Sequence, residues 1–223
     1  IYKGVNIGTA KPTKAEQGGV PHWGIDLVDP NEQYSAADFK QYTLKKISEI
    51  RSRGRVPFLV GGTGLYVDGV ILDYSFGDKA DSNLRQKLER MTLEELQNYC
   101  LKNNIELPEN NQNKRYVMRA IERNGQKTSS VDRPLGNTIV VGITTDKSEL
   151  MKRIRQRFEQ MFKDGVVKEA KALGESYGWN APALTGNIYR FAKQYLDSDL
   201  TKDEFMQNFV QADWRLAKRQ LTW

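Results

Sequence analysis

The sequence has few of the residues that build metal sites and disulfide frameworks. Its 223 residues include one cysteine, Cys100, and one histidine, His22. An internal disulfide is therefore excluded, and a zinc site of Cys and His ligands is implausible. Leu96 precedes Cys100 at helical spacing, so we assign Cys100 to a core. His22, between Pro21 and Trp23, is assigned to a loop rather than to catalysis.

Long apolar runs are also missing. No stretch approaches the roughly 18 apolar residues that a membrane span requires, and no leading signal segment is visible. With the cysteine content, this predicts a cytoplasmic protein with no membrane partner. The 34 Lys and Arg outnumber the 28 Asp and Glu, for a formal net charge of +6. A basic surface attracts polyanions such as nucleic acid.

No phosphate-binding string G-x-x-x-x-G-K-[ST] occurs in the sequence, but a different glycine loop does. The string GGTGLY (61–66) follows the apolar run VPFLV (56–60). This pattern predicts a buried strand that leads into a loop where backbone approaches a ligand closely. A plain tight turn is the alternative.

Helix and strand patterns alternate along most of the chain. Ser35 and Asp38 form a capping pattern for a helix that Gly54 ends, and Asp146 with Glu149 caps another that ends near Gly165. Strands are predicted at 56–60 and 138–143. Such a β-α-β order predicts an α/β fold, with a mostly parallel sheet flanked by helices.

The interval 76–136 contains no convincing strand. Thr92 and Glu95 begin one helix, and a second is predicted over 113–125. We therefore predict a helical insertion subdomain at 76–136, within a core formed by 1–75 and 137–223.

Basic residues are concentrated in this insertion. Arg115, Arg119 and Arg123 recur every four residues on the second helix, and Lys114 and Lys127 extend the patch. Six basic and two acidic residues lie between positions 114 and 133. Arginine holds phosphate through two hydrogen bonds, so the patch is a candidate nucleic-acid surface. A solvated helix face is the alternative.

Three blocks in one order carry a family resemblance: NIGTAKP (6–12), GGTGLY (61–66) and LAKRQLTW (216–223). With RAIE (119–122) and YSAADF (34–39), they resemble the tRNA dimethylallyltransferases. That resemblance implies transfer of a dimethylallyl group from its diphosphate to N6 of the adenosine that follows the tRNA anticodon. It also implies a P-loop NTPase-like core, nucleotide binding, Mg²⁺ as cofactor and a monomer that binds the tRNA anticodon stem-loop.

Two family features are expected upstream of Ile1. They are the phosphate-binding loop and a catalytic carboxylate in an Asp-Ser dipeptide, about four residues before Ile1. The chain also begins without methionine and stops within a helical pattern at Trp223. We therefore expect a fragment that is inactive alone.

The resemblance implies catalytic roles for two residues. Thr63 matches a threonine beside the target adenine, and Gly61, Gly62 and Gly64 leave space for a base taken out of its stack. Arg157 matches a ligand of the diphosphate, where a fixed cation stabilises the leaving group. An ion pair between this arginine and a nearby glutamate, Glu149 or Glu159, is the alternative.

A larger set matches tRNA-contacting positions of the family. It comprises Thr9, Lys11, Arg85, Lys114, Arg115, Arg119, Tyr189 and Arg190. For Thr9, a local turn is the alternative. The chain departs from the family pattern at Ile188, where a glycine is usual, and at Asp213-Trp214-Arg215, where Thr-Arg-Gln is usual. Two other functions stay open at this point: a P-loop nucleotide kinase and a noncatalytic basic RNA-binding module.

Overall fold

The computed structural model describes residues 1–77, 81–124 and 130–222, and the regular structure within them is helical. Gly125 of the predicted helix 113–125, Lys127 of the basic patch and Trp223 of the last motif block lie outside these residues. The helices of the described ranges are α1 (Ala36–Ser52), α2 (Gly64–Ile71), α3 (Ser82–Arg90), α4 (Leu93–Lys102), α5 (Lys114–Glu122), α6 (Lys147–Asp164), α7 (Val166–Tyr177), α8 (Asn187–Leu196) and α9 (Lys202–Leu221), with a 3₁₀ turn at Pro182–Thr185.

The predicted α/β fold with its parallel sheet is wrong for this structure. Within the described residues no sheet forms, and the β-pairing consists of one isolated parallel bridge between Tyr2 and Val28. The segments 56–60 and 138–143, predicted as core strands, carry no strand assignment.

The exposure of these two segments explains the difference. Phe58 is 86% exposed and Ile143 is 94% exposed, and in the run 56–60 only Pro57 and Leu59 are partly buried, so neither run has the burial of a core strand. A strand is stabilised by pairing with other strands and by burial of a face. β-branched composition favours an extended backbone, but it does not supply the partner.

Helix ends follow the local signals closely. Ser35 and Asp38 form a reciprocal capping box at the start of α1, and Thr92 and Glu95 form another at the start of α4. Gly165 ends α6 in the left-handed conformation at φ +96°. Asp146 precedes α6 as predicted, although its side chain makes no capping hydrogen bond.

The chain divides into two compact units, and unit 1 comprises residues 1–67 and 139–223. Its core includes Val5 and apolar side chains of α6 to α9. Phe158 of α6 packs against Phe205 and Phe209 of α9, with ring centroids 4.9 and 5.7 Å apart. The first residues of the chain and the helices of its second half therefore share one aromatic-rich core.

Unit 2 comprises residues 68–138 and has a smaller, mainly aliphatic core. Leu88 of α3, Leu96 and Cys100 of α4, and Val117 and Ile121 of α5 are buried there. The core position of Cys100 is confirmed, and burial raises the pKa of its thiol. The predicted role of 76–136 as a tRNA-contacting subdomain stays a prediction.

None of the helices in the described ranges combines the length and apolarity needed to cross a membrane.

Candidate functional site

The predicted glycine loop is a loop only at residues 61–63, because residues 64–66 form the first turn of α2. The main-chain carbonyl of Thr63 accepts hydrogen bonds from the N–H groups of Tyr66 at 2.9 Å and Val67 at 3.2 Å, which begins the helix. The Thr63 side chain is exposed, and its hydroxyl has no hydrogen-bond partner among the described residues. This hydroxyl is therefore available to a ligand.

The last helix approaches this loop closely. A Cβ atom at Gly62 would lie 2.3 Å from Nε2 of Gln220 on α9, whereas one at Gly61 would meet nothing within 4 Å. Neither glycine has a positive φ. Gly62 thus accommodates a neighbouring side chain rather than a special backbone conformation, and two blocks of the sequence motif meet here.

Arg157 on α6 is ion-paired with Asp213 on α9. Asn187 of α8 donates to the other Asp213 oxygen at 3.3 Å, and the Arg157 guanidinium lies 5.8 Å from the Phe209 ring centroid. Arg157 remains 46% exposed. The ion pair with Asp213 holds Arg157 in place. Since a guanidinium carries five N–H donors, the donors of Arg157 that do not face Asp213 can bind an anion.

Asp213 is a site residue that the sequence pattern did not reveal. The predicted alternative partners of Arg157 are engaged elsewhere: Glu149 pairs with Arg153 at 2.9 Å, and Glu159 pairs with Lys202 at 3.0 Å. The departure at 213–215 marked this stretch as unusual. A contact between residues 56 positions apart is not visible in local spacing.

The first segment of the chain is held by Glu169 of α7. The two carboxylate oxygens accept from the main-chain N–H groups of Asn6, Ile7 and Gly8 at 2.8 to 2.9 Å, and from the Tyr189 hydroxyl at 2.7 Å. A Cβ atom at Gly8 would lie 2.4 Å from the Tyr189 ring. This segment therefore has a fixed position relative to α7 and α8.

Four predicted tRNA contacts lie in unit 1, and their side chains differ in availability. The Thr9 hydroxyl donates to the main-chain carbonyl of Val5 at 2.7 Å. Lys11 is 11% exposed and pairs with Asp26. Tyr189 is 1% exposed. Its burial and, to a smaller extent, its hydrogen bond to Glu169 raise the pKa of its hydroxyl.

Arg190 is exposed, as is Thr9, and the Arg190 guanidinium lies 4.7 Å from the Phe191 ring centroid. Ile188 is 3% exposed and belongs to the core. The side chains of Lys11 and Tyr189 thus have structural positions, and direct tRNA contact by this set stays a prediction.

The other predicted tRNA contacts lie together in unit 2. Arg85 of α3 and Arg119 of α5 pair with the two oxygens of Glu122, at 2.9 and 3.0 Å. Lys114 Nζ donates to the Glu89 carbonyl at 2.8 Å. Arg115 is exposed, and its side chain has no partner among the described residues.

Comparison with known proteins shows which enzyme family the chain matches. The sequence model of the family described as "IPP transferase" matches residues 1–223. The tRNA dimethylallyltransferase of Bacillus pumilus is 39% identical, over 100% of this chain and 75% of the relative. The protein of that name from Halalkalibacterium halodurans is 36% identical and is covered to 76%.

A solved structure agrees with these relatives. The tRNA isopentenylpyrophosphate transferase of Bacillus halodurans has a TM-score of 0.73 at 36% identity, with 100% of this chain and 74% of that chain covered. The chain belongs to the IPP transferase family. The resemblance inferred from the three sequence blocks is thereby confirmed.

Proposed function

We propose that this protein transfers a dimethylallyl group from dimethylallyl diphosphate to N6 of the adenosine next to the tRNA anticodon. The observation that carries this proposal is the family match over the whole chain, together with a glycine loop and an anchored arginine that suit the reaction. The same proposal includes binding of tRNA, of dimethylallyl diphosphate and of a nucleotide.

The reaction sets three requirements. The N6 lone pair forms a bond to the allylic carbon, the carbon–oxygen bond breaks, and diphosphate leaves with the bonding electrons. A proton leaves N6, and negative charge grows on the diphosphate. The enzyme must therefore align the two reactants, receive the proton and stabilise the leaving group.

The described residues suit two of these requirements. The free hydroxyl of Thr63 can orient the adenine amine, because a hydroxyl both donates and accepts. The anchored guanidinium of Arg157 can bind the leaving diphosphate with its remaining donors. Asp213 and Gln220 lie seven residues apart on α9 and so on one face of it, about 10 Å apart along its axis. One helix thus supports both the arginine and the loop.

Magnesium remains part of the expected chemistry of the diphosphate. Among the described residues, no three His, Cys, Asp or Glu side chains form a group that could hold a metal ion. Magnesium is usually held by one or two carboxylates together with substrate phosphates, so Mg²⁺ as a cofactor stays a prediction, and no step of the proposed reaction depends on it here.

The direct test is prenyl transfer by the complete protein as its gene encodes it. Unmodified tRNA and labelled dimethylallyl diphosphate should yield label on the adenosine next to the anticodon. A tRNA with guanosine at that position is the matched control and should receive none. Label at another base, or no label, would refute the proposal.

A further inference from the structure

Unit 2 contains a buried carboxylate that the reaction does not use. The Glu122 side chain, at the end of α5, is 1% exposed. Burying an ionised carboxylate is costly unless opposite charges and hydrogen bonds compensate it. Here each oxygen has its own guanidinium: Oε1 accepts from Arg85 at 2.9 Å and Oε2 accepts from Arg119 at 3.0 Å.

The two arginines are only partly covered by these contacts. Arg85 is 41% exposed and Arg119 is 51% exposed. Each guanidinium has five N–H donors, and the bond to Glu122 uses one of them. Arg85 Nε also faces Glu89 at 3.3 Å. Several donors on each arginine stay available to an anion.

We propose that Glu122 is a positioning residue for tRNA binding: it holds Arg85 and Arg119, from two different helices, as a rigid pair that binds backbone phosphates. The identity of the ligand rests on the proposed function. Long side chains lose rotamer freedom when they bind, and a pair already held in place loses less. Arg115, with no partner among the described residues, provides the unrestrained comparison.

A simple charge argument predicts the opposite effect. Glu122 adds a negative charge beside a phosphate-binding surface, so its removal would strengthen the binding of a polyanion. Positioning and net charge therefore differ in the sign of one measurable change.

The variant that separates them is Glu122→Gln. Binding of an anticodon stem-loop RNA is measured across a salt series, well below the melting temperature of each protein. We expect Glu122→Gln to weaken binding about five- to tenfold, although the protein becomes more positive. Glu89→Gln is the matched control, because it removes the same charge beside Arg85 from a side chain that is 57% exposed. The control should bind equally well or more tightly.

Glu122→Asp keeps the charge and shortens the side chain, so it should also weaken binding, whereas net charge alone predicts no change. Equal or tighter binding by Glu122→Gln would overturn the inference.

A measurement on the unchanged protein covers the case in which these variants fold poorly. The Nε–H groups of Arg85 and Arg119 should show heteronuclear NOE values close to those of the helical backbone, and Arg115 should show low values. Arginines at 85 and 119 as mobile as Arg115 would overturn the inference. Absence of RNA binding by the unchanged protein would instead refute the proposed function and its ligand.

Discussion

The two units hold their functional side chains in different ways. In unit 1, Arg157 is tied to Asp213, and segment 6–8 is tied to Glu169. In unit 2, Arg85 and Arg119 share one buried carboxylate and are about as exposed as Arg157. The units therefore differ at Arg115, which is exposed and whose side chain has no partner among the described residues.

This difference matches two kinds of task. A reacting centre needs atoms fixed within fractions of an ångström, and an aromatic-rich core with ion-paired side chains provides that rigidity. A surface for a nucleic-acid backbone needs accessible positive charge. We infer that unit 1 carries the chemistry and that unit 2 contributes affinity for tRNA.

The largest effect is expected from Arg157→Ala. Loss of the cation that stabilises the leaving diphosphate should lower the single-turnover rate of the complete protein about 10²- to 10³-fold. Arg153→Ala is the matched control, because Arg153 lies one turn away on α6, is 63% exposed and pairs with Glu149. A similar loss in both variants would remove Arg157 from the site.

Thr63→Val should have the next largest effect. Valine keeps the shape of threonine but cannot hydrogen-bond the adenine, so turnover should fall about ten- to hundredfold with tRNA affinity nearly unchanged. The melting temperature of the variant is measured in parallel. If Thr63 only closes a turn, stability falls and the single-turnover rate of the folded protein stays the same.

Glu169→Gln tests the anchor of the first segment. An amide in place of the carboxylate would set its N–H₂ group against N–H and O–H donors, and we expect a loss of about 1 to 3 kcal/mol in the free energy of unfolding. Chemical denaturation measures it. Glu175→Gln is the control on the same helix, since Glu175 is 66% exposed and 3.9 Å from Lys171. Equal stability of both variants would argue against the anchor.

The smallest expected effect concerns affinity alone. Replacing Arg115 and Arg119 with alanine should reduce the salt dependence of tRNA binding by roughly one to two units of slope. The control is the same double replacement at Arg51 and Arg55, which are exposed residues of unit 1. An unchanged slope would indicate that the helix face with Arg115 and Arg119 is exposed to solvent and does not contact tRNA.

Local patterns predicted α1, α4, α5, α6 and a helical pattern at the end of the chain, missed α2, α3, α7 and α8, and predicted the sheet wrongly. Capping boxes at Ser35 and Thr92, and the stop at Gly165, depend on residues within one turn, so short windows contain the information. The runs at 56–60 and 138–143 have strand composition, but strand pairing is decided by distant partners.

The candidate site shows the same limit. The motif blocks led to Thr63 and Arg157 by resemblance. Asp213, Glu169 and Glu122 were not found as site residues, because their contacts with Arg157, Asn6 and Arg85 join residues 37 to 163 positions apart. Residue type also does not show whether a side chain is buried. Lys11 has the positive charge expected of an RNA-binding residue, but its side chain is 11% exposed and pairs with Asp26.

The division of labour between the units is tested most directly by one kinetic comparison. Single-turnover rates of the complete protein are measured against tRNA concentration for Arg157→Ala and for the double Arg115→Ala, Arg119→Ala variant. We predict that Arg157→Ala lowers the rate at saturating tRNA, whereas the double variant reaches the unchanged rate at a higher tRNA concentration. If both variants change the same parameter, chemistry and affinity are not separated between the two units.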